Sequence, residues 1–163
     1  MRFDMAAGQG ENMQHQKMTA VRALQWALLA LTLVFIWGHS CMPVENSAAE
    51  SGRVMGFLAP YLEWLVGKGG VTDHLIRKLA HFTEFTALGV QLLLLRRGTA
   101  GKDAARAVEY GFFAAFLDES IQILSARGPQ IADVWLDTAG TAFGVAVAVL
   151  VRMLLRSSNI RRA

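Results

Sequence analysis

Four runs of this chain, Ala20 to Met42, Leu79 to Leu95, Val108 to Leu124 and Val134 to Leu155, are apolar over helical lengths near the ~20 residues needed to cross a hydrocarbon core about 30 Å thick. With 163 residues and 53% hydrophobic content the chain has too little polar surface for an ordinary soluble domain of this length. The expectation is an all-α integral membrane protein: a four-transmembrane-helix bundle with an interfacial helix in the first outer loop. The first run is not a secretory signal, because its apolar stretch is longer than a signal core and the GHSC that ends it provides no A-x-A site. The single cysteine, Cys41, excludes an internal disulfide and a paired-cysteine zinc site. A formal charge of +3 without a basic, aromatic-interleaved cluster gives no reason to expect nucleic acid as a partner.

The cations fix an orientation. Arg2, Lys17, Arg22, Arg96, Arg97, Lys102, Arg106, Arg152, Arg156, Arg161 and Arg162 fall on one side of the four runs. Arg53, Lys68, Arg77, Lys78 and Arg127 fall on the other, and an eleven-to-five bias puts both termini in the cytoplasm. Three parts follow: residues 1–19 as a cytoplasmic disordered tail, 20–155 as the membrane domain, and 156–163 as a cytoplasmic basic tail. Between Arg53 and Lys68 the outer loop reads RVMGFLAPYLEWLVGK, apolar and interrupted by Pro60, as suits a kinked helix lying in the interface.

Charged groups inside membrane helices are expensive, at roughly 2.5 to 3.5 kcal/mol each at the bilayer centre on insertion scales, so their positions carry information. At about 1.5 Å per residue, Glu84 lies about 9 Å below the level of Lys78. Asp118, Glu119 and Gln122 lie at similar depth near the end of the third run, and Asp133 and Asp137 open the fourth. Three helices therefore bring polar side chains to one shallow layer of the outer leaflet. Positions three or four apart share a helix face, which pairs His81 with Glu84 and Lys78, Gln122 with Asp118 and Glu119, and Asp133 with Asp137. The last face continues through Gly140 and Gly144, a small-residue ridge for close helix packing.

The ordered set Lys78, His81, Glu84 and Phe85 (K-x-x-H-x-x-E-F), then Asp118, Glu119 and Gln122 (D-E-x-x-Q), then Arg127, then Asp133, Asp137, Gly140 and Gly144 resembles the VanZ-like family of bacterial membrane proteins. The resemblance covers roughly Val21 to Leu155. The family is named for a protein linked to resistance to the glycopeptide teicoplanin, which implies a place in the cell envelope and, by analogy, a link to enzymes acting on lipid head groups. Two departures stand out. The family usually has an amide at Asp137, so this chain brings an extra proton or an extra cation partner, and the turn before Arg127 is altered to SARGP.

Several readings remain open for these residues. In the catalytic one, the imidazole of His81, a side chain type that changes charge near neutral pH, acts as base. Glu84, Glu119 or Asp118 orients it and Gln122 donates to a developing oxyanion. Lys78 and Arg127, with Asp133 and Asp137, would make the substrate-binding rim, the cations holding phosphate oxygens. That describes a transferase or hydrolase facing the outer side and acting on membrane lipids or a lipid-linked envelope precursor. In the second reading the cluster binds a head group, or ties helices together, without chemistry; Asp133 is then an N-cap and Lys78 a snorkelling cation. In the third, a divalent cation is the cofactor, with His81, Glu84, Asp118 and Glu119 as candidate ligands. The charge asymmetry is directly testable. A membrane-impermeant thiol reagent should label Cys41, or a cysteine placed at Ser125, from outside and leave one placed at Gly101 untouched; external labelling at Gly101 would invert the topology.

Overall fold

The computed structural model describes residues 2–42, 44–67, 69–96, 98–124 and 130–160, and these are all helix and connecting turn. In chain order they form α1 (Arg2–Ser40), α2 (Val44–Val66), α3 (Asp73–Leu94), α4 (Ala100–Leu124) and α5 (Ile131–Ile160). The four apolar runs lie within α1, α3, α4 and α5 apart from residues past the helix ends, and the interfacial segment lies within α2. Two boundaries differ from expectation. α1 begins at Arg2, so the segment expected to be a disordered tail belongs to the helix. Its Ala, Gln, Met, Glu and Lys residues have high helix propensity, which continues a helix already nucleated by the apolar run. Likewise α5 runs past Leu155 to Ile160.

Within α1 and α5, Gln16–Ser40 and Ile131–Leu155 are long and apolar enough to cross a membrane. α3 and α4 are long enough, but Arg77, Lys78 and Glu84 interrupt the first, while Glu109, Asp118 and Glu119 interrupt the second. The second half of α4 turns an apolar face outward. On α4, Tyr110, Phe113, Phe116 and Leu117 are exposed while Asp118 and Glu119 are buried, the inverse of a soluble helix.

α3 starts cleanly because the Thr72 hydroxyl accepts from the Leu75 N–H at 3.2 Å, satisfying one of the unpaired N–H groups of the first turn. Asp73 adds a favourable charge there and pairs with Arg77 at 2.9 Å. At the opposite end, an Arg152 guanidinium nitrogen donates to the Leu93 carbonyl at 2.8 Å, placing a cation where the helix carbonyls are unsatisfied. Pro60 stands inside α2. That helix packs on α3 and leaves Phe57, Tyr61 and Trp64 exposed, an apolar aromatic face suited to an interface.

α3 and α5 make the most extensive contact, with α4 packed against both and α1 laid more loosely over α3 and α4. Glycines set this order. A Cβ on Gly140 would stand 2.7 Å from the Phe82 carbonyl oxygen, and one on Gly144 would collide with the Thr86 carbonyl. From the facing helix Gly89 meets the Thr141 backbone, and Gly111 of α4 meets the Thr141 side chain. Gly140 and Gly144 were legible as a ridge; Gly89 and Gly111, which complete it, were not. Around this seam Phe85, Leu88, Ala115 and Ile36 form one buried cluster, and Leu93, Ala107, Val145 and Ala148 form a second nearer the other end. Gly144→Leu should therefore lower thermal stability by at least about 1–3 kcal/mol through overpacking, measured by detergent-phase thermal unfolding, while Gly101→Leu, which meets open space, should not.

Candidate functional site

Antiparallel succession brings the C-terminal end of α1, the first half of α3, the last two turns of α4 and the first two turns of α5 to one end of the bundle. Each contributes polar side chains there. His81 is the centre. Its Nδ1 lies 3.8 Å from Asp118 Oδ2 and 3.8 Å from Asp137 Oδ2, so one imidazole faces carboxylates of two other helices. Both aspartates are fully buried. At these distances the groups face one another beyond hydrogen-bond length.

Asp118 is held from both sides. The Ser40 hydroxyl donates to its Oδ1 at 2.6 Å, and Gln122 Nε2 donates to its Oδ2 at 3.0 Å. The same amide donates to Glu119 Oε1 at 3.2 Å, and the Gln130 backbone N–H donates to Glu119 Oε2 at 2.9 Å. Asp137 is different. Neither of its carboxylate oxygens has a hydrogen-bond partner among the described residues. Asp133 alone lies in the first turn of α5, where the macrodipole favours an anion.

Glu84, which the spacing set on one face with His81, places its Oε1 3.8 Å from His39 Nδ1, and the His39 ring stacks on that of His81 with centroids 6.3 Å apart. Residues three apart are offset by about 60° around a helix, enough here to point His81 toward α4 and α5 and Glu84 toward α1. Nor is Asp133 an N-cap, because α5 begins two residues earlier and its N–H bonds the Gln130 carbonyl at 2.8 Å. Its carboxylate takes Lys78 Nζ at 2.8 Å, closing the outer edge of the layer. Arg127 lies outside the described residues.

The structure thus brings together His81, Asp118 and Asp137, sets Glu119 and Gln122 beside them, and puts Lys78 with Asp133 at the rim. His39 and Ser40 were missed as members of the layer. Their signal was present, since the polar triplet Gly38–His39–Ser40 closes an otherwise apolar run. Beside the layer, a cavity of about 440 Å³ opens between α1, α2 and α3, with His39, Arg77, Glu84 and Ser51 among apolar walls. A second crevice of about 480 Å³, lined by Leu31, Thr32, Phe35, Thr83, Glu84 and Ala87, adjoins it at Phe35 and Glu84.

A family model described as VanZ/LLP1 matches residues 25–152, which include every polar residue of this layer. No curated protein and no solved structure matches the chain. Because Ser40 is the hydroxyl that holds Asp118 in place from α1, Ser40→Ala should destabilise the protein by about 1–3 kcal/mol, the loss expected for a buried acceptor deprived of its donor. Thermal unfolding in detergent measures it.

Proposed function

The chain belongs to the VanZ/LLP1 family, and from that premise we propose that it is a four-span membrane protein whose layer of polar residues receives the head group of an outer-leaflet lipid or lipid-linked phosphoester. All four long helices cross the bilayer in this reading, α3 and α4 included: on α4 Asp118 and Glu119 are buried while Tyr110, Phe113, Phe116 and Leu117 face outward, and the exposed Lys102, Arg106 and Glu109 fall in its cytoplasmic half. Both termini are cytoplasmic and α2 lies along the outer interface.

One observation carries the chemical part: a single imidazole set between two buried carboxylates contributed by different helices. Helix packing alone has no need of such a group, since burying charge is costly and apolar residues of similar volume would pack as well. An imidazole and carboxylates arranged this way can activate a water or hydroxyl for attack at a phosphoester, with Gln122 as a neutral donor beside them. The adjoining cavities fit a lipid: the one with His39, Arg77 and Ser51 would take the head group, and the crevice of Leu31, Phe35 and Ala87 an acyl chain. The reaction is then head-group transfer or hydrolysis in the cell envelope, consistent with the glycopeptide-resistance link of the family.

A second reading is favoured by Ser40. Its 2.6 Å bond to Asp118 ties α1 to α4, which is what a purely structural or lipid-binding polar layer would contain. Lipid mass analysis of cells separates the two. If the layer performs chemistry, deletion should change the head-group species and His81→Gln and Asp118→Asn should copy the deletion at matched protein levels. Gln91→Leu, which breaks the 2.9 Å interhelical bond to Thr32 deeper in the bundle, should not. A wild-type lipid profile in His81→Gln would leave the binding or packing reading standing.

A further inference from the structure

We propose that His81 Nδ1 and one carboxylate oxygen each from Asp118 and Asp137 form a binding site for one divalent transition-metal ion of the Mn²⁺ or Zn²⁺ class. What the ion is for rests on the head-group reading; that the site exists rests on geometry.

The three donors come from α3, α4 and α5, and their ligand atoms all lie within 4.8 Å of one another. Around an ion with bonds of about 2.1 Å, donors stand at most about 4.2 Å apart. The two 3.8 Å separations from His81 already satisfy that limit, and small side-chain rotations bring the remaining pair within it. Asp137 supplies the independent indication. It is 0% exposed, both of its oxygens lack a hydrogen-bond partner among the described residues, and Oδ2 is turned toward His81. A carboxylate buried in this way needs positive charge or a proton. The nearby donors are committed elsewhere: Ser40 and Gln122 to Asp118, and Lys78 to Asp133.

Charge and chemistry agree on the ion. Two carboxylates and a neutral imidazole balance a dication. The hydrogen bonds from Ser40 and Gln122 orient Asp118 as outer-shell groups orient a metal-bound carboxylate. A mixed nitrogen and oxygen donor set suits Mn²⁺ or Zn²⁺, whereas Mg²⁺ and Ca²⁺ favour oxygen alone. Three protein ligands leave coordination positions open for water and a phosphate oxygen. The ion would also solve an electrostatic problem. Glu84, Asp118, Glu119, Asp133 and Asp137 make this layer anionic, and a phosphate needs positive charge to enter it.

The test uses full-length protein in detergent, stripped with EDTA, then exposed to Mn²⁺, Zn²⁺ or Mg²⁺ and desalted. Elemental analysis should find near-stoichiometric Mn²⁺ or Zn²⁺ but not Mg²⁺, and the retained ion should raise the thermal midpoint. His81→Gln and Asp137→Asn should weaken binding at least about tenfold, while Glu84→Gln and Asp133→Asn, in the same layer but outside the trio, should bind as wild type. Asp137→Asn keeps the volume of the side chain and adds no charge, so a folding defect does not obscure the result. Wild type that retains no metal above a buffer blank, or Asp137→Asn that binds as well as wild type, overturns the proposal. Neither measurement needs a lipid. Metal binding with an unchanged lipid profile would sink the head-group chemistry alone; an altered profile without metal would sink this proposal alone.

Discussion

The close approach of α3 and α5 is the constraint on which the rest of the molecule depends. Gly140 and Gly144 let the α5 backbone sit against the carbonyls of Phe82 and Thr86, and Gly89 returns the contact against Thr141. In a bilayer no hydrophobic effect drives helices together, so the area and closeness of such a seam largely decide which helices pair. Here the seam also sets the polar layer. Phe82, whose carbonyl faces Gly140, is the neighbour of His81, and Asp137 lies one turn before Gly140. Bringing the backbones together therefore brings His81 within 3.8 Å of Asp137. Thr86 strengthens the register by donating to the carbonyls of Phe82 and Gly140.

The polar layer is a negotiated electrostatic arrangement rather than a run of independent pairs. Each acid is answered by a different device: Lys78 for Asp133, an amide and a backbone N–H for Glu119, a hydroxyl and the same amide for Asp118, and the His39 ring for Glu84. In a medium of low dielectric these compensations are worth more than they would be in water, and a missing one is correspondingly expensive. Asp137 stands apart because its hydrogen-bonding capacity is not used by the described residues.

Most of the helices could be read from the sequence because their signal is local. Apolar runs of the right length give helices in lipid or out of it, and the i, i+4 spacing of Gly140 and Gly144 marks a packing face whatever packs there. The partners across helices were less legible. Spacing placed His81 and Glu84 on one side of α3, but the choice between α1 and the α4–α5 pair depends on an offset of about 60°, and that is settled by which helix arrives next to it. Gly89 and Gly111 escaped notice for the same reason: a lone glycine in a helix has no pattern until a facing Thr141 gives it one. His39 and Ser40 were hidden in a helix end, where polar residues are ordinary. The length of α1 was misread because a Gln- and Met-rich stretch without apolar periodicity resembles a tail by composition, while its helix propensity is high.

The unequal packing of the helices suggests how the layer can be reached. α3 and α5 interlock through backbone contacts and α4 packs on both, so the positions of His81, Asp118 and Asp137 are set by the most closely packed part of the bundle. α1 leans on that unit through side chains: Ser40 on Asp118, Gln91 on Thr32, and Trp37 on the Ala114 carbonyl at 3.4 Å. Much of its surface, including Leu24, Leu31, Val34 and Phe35, is exposed. The cavities beside Glu84 follow the α1–α3 boundary, where the polar layer lies to one side. A site built in this way keeps its reactive groups fixed while the wall through which a lipid would enter laterally is held by contacts that can be exchanged for contacts with the lipid itself.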